Sequence, residues 1–77
     1  LMPEKKVSLE PGEEFIRLGQ LIKFVGLVER GSDAKEYLAD HPIQVNGHAE
    51  NRRGAKLRPG DSVVFDNLTV KICGSGD

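Results

Sequence analysis

Large aromatic side chains are scarce in this chain: tryptophan is absent, Tyr37 is the one tyrosine, and the three phenylalanines are Phe15, Phe24 and Phe65. There is a single cysteine, Cys73, which excludes an intramolecular disulfide and fits a reducing compartment. Long apolar runs are missing too. The longest are interrupted at Lys23 and Gly26, far short of the roughly 20 residues that a membrane-spanning helix requires. No stretch shows the basic, apolar, small-residue order of a secretory signal. These absences lead to the expectation of a cytoplasmic protein with no membrane partner.

At 77 residues the length corresponds to one domain. A domain of this size buries only about 60–65 % of the surface its unfolded chain exposes, and its core supplies roughly 3–5 kcal/mol. That leaves little room for the deep pockets that house small-molecule chemistry. A binding surface suits such a chain better, and nothing in it demands more than a monomer. The expectation is one domain over residues 1–77, with its core at about 15–65 and a flexible tail at 73–77.

A strong charge of either sign is also missing, since the net charge is −1. The balance conceals a separation. Residues 17–58 carry eight Lys or Arg against five Asp or Glu, whereas residues 1–16 and 59–77 each carry a net −2. Phosphate binding responds to the local field rather than to the total.

Hydrophobic periodicity supplies the elements. Lys5 to Glu10 alternates loosely and reads as a strand, broken by Pro11-Gly12. Between Glu13 and Val28, the positions Leu18, Leu21, Ile22, Val25 and Val28 follow the i, i+3, i+4, i+7 rule of one helical face. Gly26 would weaken that helix by about 1 kcal/mol relative to Ala, or else permit close packing near its end, and Gly31 is the expected stop. Ser32 or Asp33 is placed to cap a second helix through about Asp40. Its apolar face is Ala34, Tyr37 and Leu38, and Pro42 forces His41 out of helical geometry. Strands follow. Ile43 and Val45 lead into the turn Asn46-Gly47, with His48 to Glu50 returning. A basic connection from Arg52 to Arg58 closes at Pro59-Gly60-Asp61, and Ser62–Phe65 and Leu68–Ile72 form a second hairpin about Asp66-Asn67. The class is α+β: two helices packed on a small, mostly antiparallel sheet.

The chemistry lies in Arg52, Arg53, Lys56 and Arg58, grouped within seven positions. Arginine donates in a planar fork to two phosphate oxygens, and lysine adds a mobile point charge. Lys35 brings charge to the start of the second helix, where backbone N–H groups favour an anion. A hairpin packed beside that helix would join these groups into one basic surface.

Four segments appear in a telling order: Arg17-Leu18-Gly19-Gln20-Leu21-Ile22-Lys23, then Gly31 to Lys35, then Val45-Asn46-Gly47, then Pro59-Gly60-Asp61. From Phe15 to Val64 this arrangement resembles the RNA-binding domain of small-subunit ribosomal protein S4, the alpha-L motif. Ala34-Lys35, Arg52-Arg53-Gly54 and Lys56-Leu57-Arg58-Pro59-Gly60-Asp61 bring it closer to small stand-alone bacterial members. The resemblance implies two helices and a hairpin that grip structured RNA, ribosomal or transfer, in ribosome assembly or translation, with possible association with the ribosome itself. It implies RNA contacts from Arg17 and Lys23 on the first helix, Lys35 on the second, and Arg52, Arg53, Lys56 and Arg58 by the hairpin. Asn46 and Gly47 shape the turn, with Asn46 offering a polar contact. Two positions depart from the pattern. Asp33 follows Ser32 where many relatives carry arginine, which opposes phosphate there, and Pro42 stands where glycine is common.

Other readings carry less. His41, His48 and Cys73 lack the spacing of a metal or nucleophile set, so neither enzyme chemistry nor a cofactor nor a metal is expected. The aromatics are able to stack on bases, but for most of them core packing is the expected role. A β-grasp interaction or carrier module shares the Asn-Gly turn and Gly60-Asp61. Carriers of that kind end in Gly-Gly, however, and this chain reads Gly74-Ser75-Gly76-Asp77.

Overall fold

The computed structural model describes residues 2–77. Its elements in chain order are β1 (Glu4–Ser8), β2 (Ile16–Arg17), α1 (Leu18–Phe24), a 3-10 turn (Gly31–Asp33), α2 (Ala34–Asp40), β3 (Gln44–Val45), β4 (His48–Ala49), β5 (Lys56–Leu57), β6 (Ser62–Phe65) and β7 (Leu68–Cys73). Tight turns organise the sheet. Asn46 and Gly47 take φ of 52° and 82°, the pair of positive angles that lets a two-residue turn follow the strand twist, and β3 and β4 pair across it. Asp66-Asn67 joins β6 to β7 in a two-residue turn without positive φ angles, with Phe65 opposite Leu68. The five-stranded order is β1-β7-β6-β3-β4. Every neighbouring pair is antiparallel except β1 with β7, which run parallel with Lys5 opposite Val70 and Val7 opposite Ile72. A separate two-stranded ribbon pairs Ile16 with Leu57 and Arg17 with Lys56.

One cluster of buried side chains lies between the sheet and the two helices. Val63 and Phe65 alternate inward on β6, and Val70 and Ile72 do so on β7. Leu18, Leu21 and Ile22 come from α1, Ala34 and Leu38 from α2, with Ile43 and Leu57 between. Val7 and Leu9 add to the cluster from the N-terminal side, so buried residues extend past 15–65 at both ends. The α+β class read from periodicity is the observed one.

Three local expectations are corrected. The first helix does not run from Glu13 to Val28. Residues ahead of Leu18 are committed elsewhere: the Glu13 carboxylate accepts from the Glu10 N–H at 2.8 Å, and Ile16–Arg17 form the ribbon with β5. At the other end, Gly26 N–H donates to Lys23 O and Leu27 N–H to Ile22 O, the paired bonds of a Schellman termination. Gly26 is the left-handed residue that this termination requires, with φ of 84°. Val25, Leu27 and Val28 still pack on the core, but from backbone that has left the helix. The stop is thus Gly26, and Gly31 instead opens the 3-10 turn. Finally, no side chain caps α2, because the chain passes into it directly from that turn.

Of the tail expected at 73–77, Cys73 ends β7 opposite Ser8, and residues 74–77 form a turn in which Ser8 Oγ donates to Asp77 O at 2.8 Å and Asp77 N–H to Gly74 O at 3.1 Å.

The position of Gly26 reverses the sign of a mutation. Within a helix, Gly26→Ala would stabilise by about 1 kcal/mol. A Cβ here meets nothing within 4 Å, so the cost is that of forcing an L-residue into the left-handed region, about 1–2 kcal/mol. Gly26→Ala is therefore expected to lower the thermal midpoint by about 4–8 °C per kcal/mol, as read by circular dichroism.

Candidate nucleic-acid interface

The first N–H groups of a helix have no partner within it. In α1 the first two are met by the basic connection: Leu18 N–H donates to Ala55 O and Gly19 N–H to Arg53 O, each at 2.8 Å. Gln20 turns back to accept the Arg17 N–H at 3.1 Å. The Arg17 guanidinium, which carries only donors, bonds Gly54 O at 2.8 Å. The approach is close because residue 19 has no side chain. A Cβ there would stand 3.2 Å from Arg53 Cβ and 3.3 Å from Arg53 O.

This docking gathers cations from separate stretches of chain. Arg17, Lys23 and Arg53 line a groove of about 660 Å³ together with Gly19, Gln20, Phe24, Gly31 and Gly54. Around the corner, Arg17, Lys56 and Arg58 surround the half-buried Phe15 ring, with their charged groups 5.3, 4.8 and 5.8 Å from its centroid. Arg17 belongs to both groups and joins them. It also sits directly opposite Lys56 across the ribbon, where like charges disfavour pairing. The Phe15 ring offsets part of that repulsion, by about 0.5–1 kcal/mol for an exposed cation over its face. Among the described residues the ion pairs are Arg30–Asp33 at 3.8 Å and Arg52–Glu50 at 2.9 Å. No carboxylate therefore pairs with the five cations Arg17, Lys23, Arg53, Lys56 and Arg58.

The remaining candidates are placed differently. Arg52 is held by Glu50 through Nε at 3.1 Å and Nη2 at 2.9 Å, and the same carboxylate accepts the N–H groups of Asn51 and Arg52. Asn46 spends its side chain within the fold: Nδ2 donates to Asp61 Oδ1 at 3.0 Å and Oδ1 accepts the Ser62 N–H at 2.9 Å. Asp61 also accepts the Arg58 N–H at 2.8 Å and closes the Pro59-Gly60 turn, whose Gly60 has φ of 95°. Asn46 and Gly47 thereby tie the hairpin to that turn. Lys35 is exposed on the first turn of α2 and is not part of the groove wall. Its neighbour Ala34 does reach α1, at 3.5 Å from where a Gly19 Cβ would stand. His41 stacks on Tyr37 at 4.0 Å and its Nδ1 lies 2.9 Å from Tyr37 O.

Sequence reasoning passed over Gly19, and it took Phe15 and Phe24 as aromatics able to stack on bases but more readily placed in the core. Gly19 had a usable signal, because a glycine inside a stretch of helical periodicity costs roughly 0.5–1 kcal/mol relative to Ala and so points to a close approach. Phe15 had none, since its cations meet it through the pairing of β2 with β5. Phe24 was ambiguous. It lies three positions beyond Leu21, at the edge of the apolar stripe.

A family model described as the S4 domain matches residues 9–73. The chain belongs to the S4 domain family. Relatives agree with this. RlbA of Bacillus subtilis, named as a probable ribosome maturation protein, is 44 % identical over 55 residues, covering 71 % of this chain and 78 % of the relative. YbcJ of Escherichia coli, whose name makes it a candidate RNA-binding protein, is 32 % identical over 57 residues, covering 74 % and 81 %. In this S4 domain, helix α1 and the connection before β6 together present the basic face.

The Glu50–Arg52 pair makes a pH signature. The Arg52 guanidinium and N–H hold the Glu50 carboxyl well below its ordinary 4.5, at about 2. A depressed carboxylate contributes stability that is fully present above its unfolded value and fades as pH falls toward its folded one. Glu50→Gln should therefore lower the melting temperature at neutral pH, and its gap from the unaltered protein should close between pH 4.5 and 2. Thermal unfolding of both proteins across that range checks it.

Proposed function

We propose that this S4 domain binds structured RNA, ribosomal or transfer, through the face built by Arg17, Lys23, Arg53, Lys56 and Arg58, and serves ribosome assembly or translation. The observation that carries the reading is the meeting of these five cations, from both sides of the ribbon, with no carboxylate paired to them. Stability does not account for such an arrangement, because like charges repel and solvated arginines would sit more favourably apart. A polyanion resolves the repulsion by replacing the counterions the face would otherwise attract. The names of the relatives point the same way, one to ribosome maturation and the other to RNA. Binding rather than catalysis, in the cytoplasm, is the role proposed.

Phosphate contacts position a protein without encoding sequence. The domain is accordingly read as selecting RNA by shape, using a rigid surface against a folded stem-loop or junction. Arg52 takes a lesser part in this reading, because its fork is already filled by Glu50. Asn46 and Gly47 act by shaping the turn, and Lys35 stands at the margin.

The test is fluorescence anisotropy with ribosomal and transfer RNA over a range of salt. Arg53, Lys56 and Arg58 are the residues to replace together by Ala, since Arg17 also holds Gly54 O. Each lost phosphate contact should make the slope of log affinity against log salt shallower by about 0.7–0.9, so the triple variant loses roughly 2–3 of slope. Arg52→Ala alone should change it by less than one contact. A folded triple variant with an unaltered slope would overturn the reading.

A further inference from the structure

Phe24 is 64 % exposed, although it ends the most deeply anchored helix of the domain. A single exposed apolar side chain is ordinary on a protein surface, so what matters is where Phe24 stands. It stands in the wall of the groove that also holds Arg17, Lys23 and Arg53. The rest of that wall is Gly19, Gly31 and Gly54, which have no side chains, and Gln20. Gln20 Oε1 already accepts the Arg17 N–H, so the amide nitrogen is what Gln20 can offer a ligand. The site therefore combines a flat apolar face, a hydrogen-bond donor, glycine-lined backbone with no side chains to obstruct a planar ligand, and three cations.

From this we infer that the groove takes one unpaired nucleobase of the bound RNA, stacked on the Phe24 ring with its phosphates held by Arg17, Lys23 and Arg53. The inference rests on the RNA-binding reading and sharpens it. Charge selects the occupant: an apolar peptide would leave three cations unanswered, whereas a nucleotide brings a π-face and an anion together. In a continuous A-form duplex the bases are stacked on one another and closed to a side chain. The domain should then favour RNA with an unpaired loop or bulge over a blunt helix. Every base has a π-face, so the stacking itself is tolerant of sequence.

The experiment uses an RNA stem-loop with an all-adenosine loop, its blunt stem duplex, and a version of the stem-loop with 2-aminopurine in the loop. Phe24→Ala should weaken binding to the stem-loop by about 5- to 150-fold, the range of one lost base–aromatic stack, while leaving the duplex affinity and the salt slope unchanged. Phe24→Trp should bind at least as well as the unaltered protein, and Phe24→Leu should behave like the Ala variant. The 2-aminopurine emission should change on binding, and that change should vanish with Phe24→Ala. Equal affinity of the unaltered protein and the Ala variant for the stem-loop, or full retention by the Leu variant, overturns stacking while a steep salt slope still upholds the charged face. Failure of the unaltered protein to bind either RNA at low salt overturns both.

Discussion

The interface depends on the start of helix α1 being hydrogen-bonded to the carbonyls of Arg53 and Ala55. A helix start must find partners for its exposed N–H groups, and here a loop supplies them for the first two. The consequence works in both directions. The helix is fixed by the loop, and the loop, otherwise a run of charged residues with little reason to hold one shape, is fixed by the helix. Arg53 and its neighbours on β5 are thus ordered before any ligand arrives, which reduces the ordering cost that binding would impose. Gly19 is the geometric condition for this, since a side chain there would press on Arg53.

Charge is organised by the same docking. Arg52 and Arg53 are adjacent and chemically identical, yet one is held in a two-point bond to Glu50 and the other lines an open groove. The difference arises because Glu50 follows β4 and folds over the start of the connection, within reach of residue 52 and not of residue 53. Past that point the chain carries its cations toward Phe15 and α1, where no carboxylate among the described residues pairs with their side chains. A chain of net charge −1 in this way presents a locally positive face.

The turns supply the remaining rigidity. Asn46, Asp61 and Ser62 join the β3–β4 hairpin to the Pro59-Gly60 turn through side-chain and backbone bonds. Asp61 reaches back to Arg58. The connection between β4 and β6 is therefore fastened at its far end by turn chemistry and in its middle by the helix.

Much of this was legible in the chain itself. Local rules act between near neighbours, so the Asn46-Gly47 hairpin, the Pro59-Gly60-Asp61 turn, the inner faces of α1 and α2 and the break at Pro42 all followed from residue types and spacing. The family could be read as well, because its motifs occur in a set order. The tertiary structure alone decided what lies between distant residues. It cut the first helix to Leu18–Phe24, because Ile16–Arg17 found a strand partner forty residues on. It set β1 parallel to β7, occupied Arg52, placed three cations around Phe15 and left Phe24 open. Periodicity records which residues seek burial, but not which backbone will meet an unpaired N–H or which acid will reach a given arginine. Those outcomes depend on contacts across the whole fold, and they determine which of this chain's charges are available to a partner.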